Sequence, residues 1–140
     1  EETSGLISGR LPATGPGIEI RIGEGTIDKV DASIMFNLIE ELRNAGAEVI
    51  AINDVRVVAS TYIQDAKKGL IADGTLITPG YTVLAIGNAQ ELSNAVDIAG
   101  GVGAQLKVKY GAGVDVESSD AIVINQVRDD SQFQYAKTVE

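Results

Sequence analysis

Asn53, Arg56, Thr61 and Tyr81 are the residues of this chain whose types and spacing could do chemistry. Arg56 follows an Asn53-Asp54 turn and sits in an otherwise apolar run, Val55 to Ala59. A planar guanidinium held there could grip a carboxylate or a phosphate through paired N–H donors. Thr61 lies a few residues on, and the segment TPGY brings the phenol of Tyr81 to the start of the next strand. If those strands pair, the four polar groups cluster near one edge and form a small-ligand pocket. The competing structural reading makes Arg56 a corner of the scaffold, paired with Asp54 or with the C-terminal end of a helix.

Other motifs fall to simpler readings. Glu40 and Glu41 stand beside Arg43 on the polar side of a helical stretch, and a catalytic carboxylate pair needs unequal, desolvated surroundings to separate its pKa values. Asp129-Asp130 reads as solubilising charge, and Asp28 with Asp31 lacks the spacing of a calcium loop. The glycine clusters GEGTID and GGVGAQ match neither the dinucleotide nor the P-loop pattern, so they read as turns and helix ends. The chain holds no histidine and no cysteine. That removes the Ser-His-Asp triad, thiolate zinc sites, cysteine nucleophiles and disulfides. No catalytic residue, metal ligand set or cofactor is therefore expected.

The 140 residues suit one domain with a real core. Lys and Arg total 11 against 20 Asp and Glu, a formal charge of −9. Such a field opposes nucleic-acid backbones and anionic lipid headgroups. No apolar run reaches the roughly 20 residues that span a bilayer. The chain opens on Glu1 rather than Met, which suggests a processed or excised piece and leaves room for an anchor upstream.

The elements that must carry these residues follow from periodicity. Residues 1–17, rich in Gly, Ser, Thr and Pro, read as a flexible lead-in, and residues 128–140 as a polar tail. IEIRI (18–22) alternates as a half-buried strand does. Ile34, Met35, Leu38, Ile39, Leu42 and Ala45 form a helical stripe, capped by Asp31 or Ser33 and ended at Gly46. AEVIAI (47–52) is a central strand. The insertion 53–80 is β-rich, with Asp73-Gly74 as a two-residue hairpin turn. YTVLAIG (81–87) is a strand, followed by a helix capped by Asn88 with Glu91 three residues on. AQLKVKY (104–110) alternates like a strand, yet its apolar residues also fit one side of a short helix. VDVES (114–118) and AIVIN (121–125) read as two short closing strands. Without the insertion the order is β-α-β-β-α-β. This predicts an α/β (α+β) domain over 18–127, a ferredoxin-like core with both helices on one face of a mixed, largely antiparallel sheet.

GPGIEIRI, IEELRNAGAEVIAINDVRV, YTVLAIGNAQEL and AIVIN, in this order and spacing, resemble the YlxW/YlxX-like bacterial proteins of a domain-of-unknown-function family. The resemblance covers roughly residues 15 to 125. It implies a single-pass membrane protein whose transmembrane segment and coiled coil precede an extracytoplasmic α/β domain, with genes beside cell-division genes. It implies no enzyme class, and it implies a helix near 102–110. The chain departs from the family pattern at Asn53-Asp54-Val55-Arg56, where relatives tend to read Asn-Gly-Gln-Arg, and at Pro79-Gly80-Tyr81, where they tend to read Pro-Pro-Tyr. Arg56 and Tyr81 persist. The expectation is a non-catalytic interaction domain that docks envelope or division proteins and self-associates, with a small-molecule sensor using Arg56, Thr61 and Tyr81 as the alternative.

Overall fold

A computed structural model of the chain describes residues 11–53, 55–98 and 100–125. Strand β1 (Ala13–Ile22) leads to helix α1 (Ala32–Asn44) and strand β2 (Val49–Ile52). The insertion contributes β3 (Val55–Val57), β4 (Ile63–Ala66), β5 (Gly69–Ala72) and β6 (Thr75–Ile77). Strand β7 (Tyr81–Ile86), helices α2 (Ala89–Asp97) and α3 (Val102–Val108), and strand β8 (Val114–Ile124) complete the described fold.

The main sheet has the order β3-β2-β7-β1-β8. Apart from β3, this is the interlocked pattern of two split β-α-β units: β7 lies between β1 and β2, and β1 lies between β7 and β8. The ferredoxin-like expectation holds. Every pairing among the described strands is antiparallel, the limiting case of the mixed sheet expected. Strands β4-β5-β6 form a second, three-stranded sheet. It is built around the Asp73-Gly74 turn, where both residues have positive φ (49° and 84°) and Ala72 pairs with Thr75.

The helices share one face of the sheet. Leu38, Leu92 and Leu106 join Ile18, Ile20, Ile52 and Val83 in one buried cluster. Alternation along each strand puts these residues on the same side. Helix α1 starts where Asp31 Oδ1 accepts the Ile34 amide at 3.0 Å. It ends in a Schellman turn: Gly46 (φ 95°) donates its N–H to Arg43 O, and Ala47 donates to Leu42 O. In α2, Asn88 Oδ1 accepts the Glu91 amide at 2.9 Å.

Two expectations need correction, and one left open is decided. The first strand begins at Ala13, inside the stretch read as a flexible lead-in, because β8 extends far enough to pair with it from Val114 to Ile124. The two short closing strands are one, for the same reason. The segment from Val102 to Val108 is a helix, as the family resemblance implied and local alternation did not. Val102 and Leu106, one turn apart, reach the core, and Gly103 lies so close to α2 that a Cβ there would meet the Val96 carbonyl oxygen at 2.3 Å. The polar tail lies outside the described residues.

The long β1–β8 pair does not stay flat. In a flat sheet β8 would lie three strand spacings, roughly 14 Å, from β2. Instead Ile122 and Ile124 form a second cluster with Val49, Ala51 and Ile86, on the face away from the helices. The pair therefore curls over the open face. A register shift between Gly15 and Gly17 supplies the bend. Gly17 permits the crossing, since a Cβ there would fall 1.9 Å from the Ala85 carbonyl oxygen.

Candidate functional site

The four residues singled out in the sequence do not converge. Arg56 pairs with Ala51 across β2–β3, so its side chain leaves on the open face, under the curled arm. It is 3% exposed, and Nη1 donates to Leu11 O at 2.7 Å. Burial pulls its pKa below the ordinary guanidinium value. The arginine thus ties the stretch before β1 to the third strand, a scaffold role. Its expected partner Asp54 lies outside the described residues.

Tyr81 leaves from the opposite face. It pairs with Ile22 and sits in the helix-side core, 1% exposed. Its hydroxyl has no hydrogen-bond partner among the described residues. Burial raises its pKa, and the negative charges of Glu24 and Asp65 raise it further. Thr61 closes a turn: its Oγ1 accepts the Val58 amide at 2.7 Å, while its own amide donates to Val58 O. Asn53, with φ 50°, extends the β2–β7 ladder, exchanging bonds of 2.8 Å with the Thr82 amide and carbonyl. Each polar group is placed by its strand or turn, and no single hollow gathers all four.

Arg56 and Tyr81 line different hollows, Tyr81 standing at one of about 380 Å³ with Arg21, Thr82 and Asp115 that Arg56 does not reach. Another of about 350 Å³ opens between the β1–α1 loop and the β4–β5 turn, with Glu24, Asp28, Lys29, Lys67 and Lys68 around it. Its glycine-containing loop is not a phosphate cradle. The amides of Thr26, Ile27 and Asp28 already donate to the carbonyls of Gly111 and Tyr110, and Lys29 Nζ donates to Ala66 O. A smaller hollow of about 190 Å³ runs past Arg43, Glu48, Arg56 and Val58 at the β3 edge. Among the described residues no three carboxylates converge to hold a metal ion.

Sequence reasoning missed two groups. Tyr110 donates to both oxygens of the Asp31 cap at 3.3 Å, joining the end of α3 to the start of α1. Its pKa is raised by burial first and by Asp31 second. The other group is on the surface. Phe36 is 52% exposed and Tyr62 66% exposed, half of the four aromatic residues described. Phe36 belongs to α1 and Tyr62 to the insertion, two elements joined along a seam by side-chain hydrogen bonds. Ala32 N donates to Asp65 Oδ1 at one end of that seam, and Arg43 Nη2 donates to Val58 O at the other. Helical spacing puts Phe36 on the Ala32–Arg43 side of α1, and Tyr62 lies between Val58 and Asp65 in the chain. The signal was present: Phe36 is a large aromatic off the apolar stripe of an amphipathic helix. Tyr62 continues into the outward face of the small sheet, where Ile71 pairs with the half-exposed Leu76.

Comparisons with known proteins agree with this architecture. Residues 1–137 match a family described as bacterial protein of unknown function (DUF881). The chain is 36% identical over 142 residues to the UPF0749 protein Rv1825 of Mycobacterium tuberculosis, covering 96% of this chain and 47% of that protein. It is 27% identical over 111 residues to the UPF0749 protein YlxW of Bacillus subtilis, covering 73% of this chain and 48% of that one. The chain thus spans about half the length of these relatives. A crystal structure of an uncharacterized conserved protein from Mycobacterium tuberculosis superposes with a TM-score of 0.85 at 33% identity, covering 91% of both chains. With the sequence blocks, the interlocked sheet and these matches in agreement, the chain belongs to the DUF881 family of bacterial proteins, whose members include YlxW.

Proposed function

We propose that this is a non-catalytic protein-interaction domain, carried outside the membrane by a membrane-anchored protein of the bacterial envelope or division machinery. The observation behind this reading is the pair Phe36 and Tyr62, the two aromatic side chains that stand exposed while Tyr81 and Tyr110 are buried. Aromatic residues fixed on rigid elements are the side chains that anchor interfaces, because they bury much area at little cost in rotamer freedom. The polar residues that looked chemical are committed to turns and to the scaffold. No helix among the described residues is long and apolar enough to cross a membrane, and this proposal places the anchoring segment outside them.

The test is capture of crosslinked partners from bacterial membranes with the domain and with a Phe36→Ser/Tyr62→Ser variant. Both side chains are exposed, so the variant is expected to fold normally. Envelope or division proteins should be recovered with the original domain and lost with the variant. Equal recovery by both would remove the seam as the docking surface, and recovery of none would remove the interaction reading.

A further inference from the structure

We propose that the outer edge of β8 accepts a basic, extended segment of a partner protein, which adds a sixth strand to the main sheet. This rests on the interaction reading and names a second contact and its chemistry. Strand β8 is the longest in the fold, at 11 residues, and among the described residues it pairs only with β1. Its far side has no strand beside it among the described residues, and residues Glu117 to Ala121 are all exposed, although the Ala121 amide is already turned onto Ser119 Oγ. Edge strands are commonly blunted by Lys, Pro or short length. This one has no Lys, Arg or Pro and carries Asp115, Glu117 and Asp120 instead.

The faces of β8 specify what would fit. Asp115 and Glu117 lie on the open face, opposite Arg21 and Glu19 of β1. Arg21 is shared there: its Nε contacts Glu19 at 2.8 Å and its Nη2 contacts Glu117 at 3.6 Å. One cation among three carboxylates leaves this face negative. Val114 and Val116 lie on the other face, partly buried against the helix-side core. An added strand would therefore place Lys or Arg beside Asp115 and Glu117, and apolar side chains beside the valines, in strict alternation. A second copy of β8 fits poorly, since it brings further acids and no Lys or Arg to this edge.

The experiment uses the whole chain and a short peptide alternating Lys and Val, with a block peptide of the same composition as control. The alternating peptide should slow amide hydrogen exchange at residues 115–121 and bind more weakly as salt rises. An Asp115→Lys/Glu117→Lys variant, changed only at exposed positions, should lose about tenfold or more in affinity, a difference of about 1.4 kcal/mol. Exchange protection elsewhere, equal binding of the block peptide, or a β8–β8 dimer would overturn the proposal. Loss of partner capture in the Phe36→Ser/Tyr62→Ser variant, with no peptide effect on β8, would sink strand addition alone and leave the interaction reading standing.

Discussion

The Tyr81 hydroxyl is buried without a hydrogen-bond partner among the described residues, and a polar group in that position costs roughly 1–3 kcal/mol of stability. Tyr81→Phe keeps the ring that fills the core and removes the cost. It should stabilise the protein by about 1 kcal/mol, read as a rise in denaturant midpoint at unchanged slope. The pH dependence has a definite sign. Burial and the nearby acids raise the Tyr81 pKa in the folded protein, so the unfolded chain ionises first, near its ordinary value of about 10. Stability is fully present below that pH and is lost as pH rises through the folded value. Melting temperature should fall at alkaline pH, and less steeply in Tyr81→Phe. Tyr110, shifted the same way, accounts for the remainder. At Arg56 a lysine cannot present the same planar donors. Arg56→Lys should cost about 2 kcal/mol through the weakened charged hydrogen bond to Leu11, and amide exchange should quicken at the start of β1.

At the scale of elements, α1 depends on Asp31 twice. Its carboxylate caps the helix and accepts the Tyr110 hydroxyl. Asp31→Ala should lose about 1 kcal/mol for the cap and leave a nearly buried tyrosine hydroxyl without its acceptor, so the total should exceed that of Asn88→Ala, which removes a cap alone. Chemical denaturation of the two variants makes the comparison. The helix itself was legible in the sequence, because five buried residues from Ile34 to Leu42 repeat at its period. The helix at Val102–Val108 was not. A seven-residue segment fits either period, and what decides is Val96 on the neighbouring helix, which Gly103 allows to approach. The continuity of β8 was hidden too, since its middle residues are polar and are held as strand only by β1 alongside.

Over the whole molecule, the insertion behaves as part of the core. Leu70, Ala72 and Ile77 of the small sheet are buried in the same cluster as Ile18 and Leu38. Heating should therefore give one transition, coincident by far-ultraviolet circular dichroism and by tyrosine fluorescence. Leu70→Ala should cost about 3 kcal/mol, a value typical of a central core position, although the residue lies in the smaller sheet. A separate early transition of β4–β6 would contradict this. The same interlocking explains why the expected ligand pocket is not built. Arg56 and Tyr81 belong to strands of one sheet, but register assigns them to opposite faces, and a one-residue difference in register is enough to do so.

Local patterns by themselves determined the two longer helices with their caps, the Asp73-Gly74 turn and the β-α-β-β-α-β succession of elements along the chain, because each is written in nearest-neighbour spacing and in the balance of apolar and polar residues. Only the tertiary structure decided where Arg56, Thr61 and Tyr81 point, that the β1–β8 pair curls over the open face, and that α1 is tied to the insertion at Ala32–Asp65 and Arg43–Val58. Those features depend on pairings between residues distant in the chain, such as Ala13 with Ile124 and Ala51 with Arg56, and periodicity along a single segment carries no information about which distant segment will lie beside it.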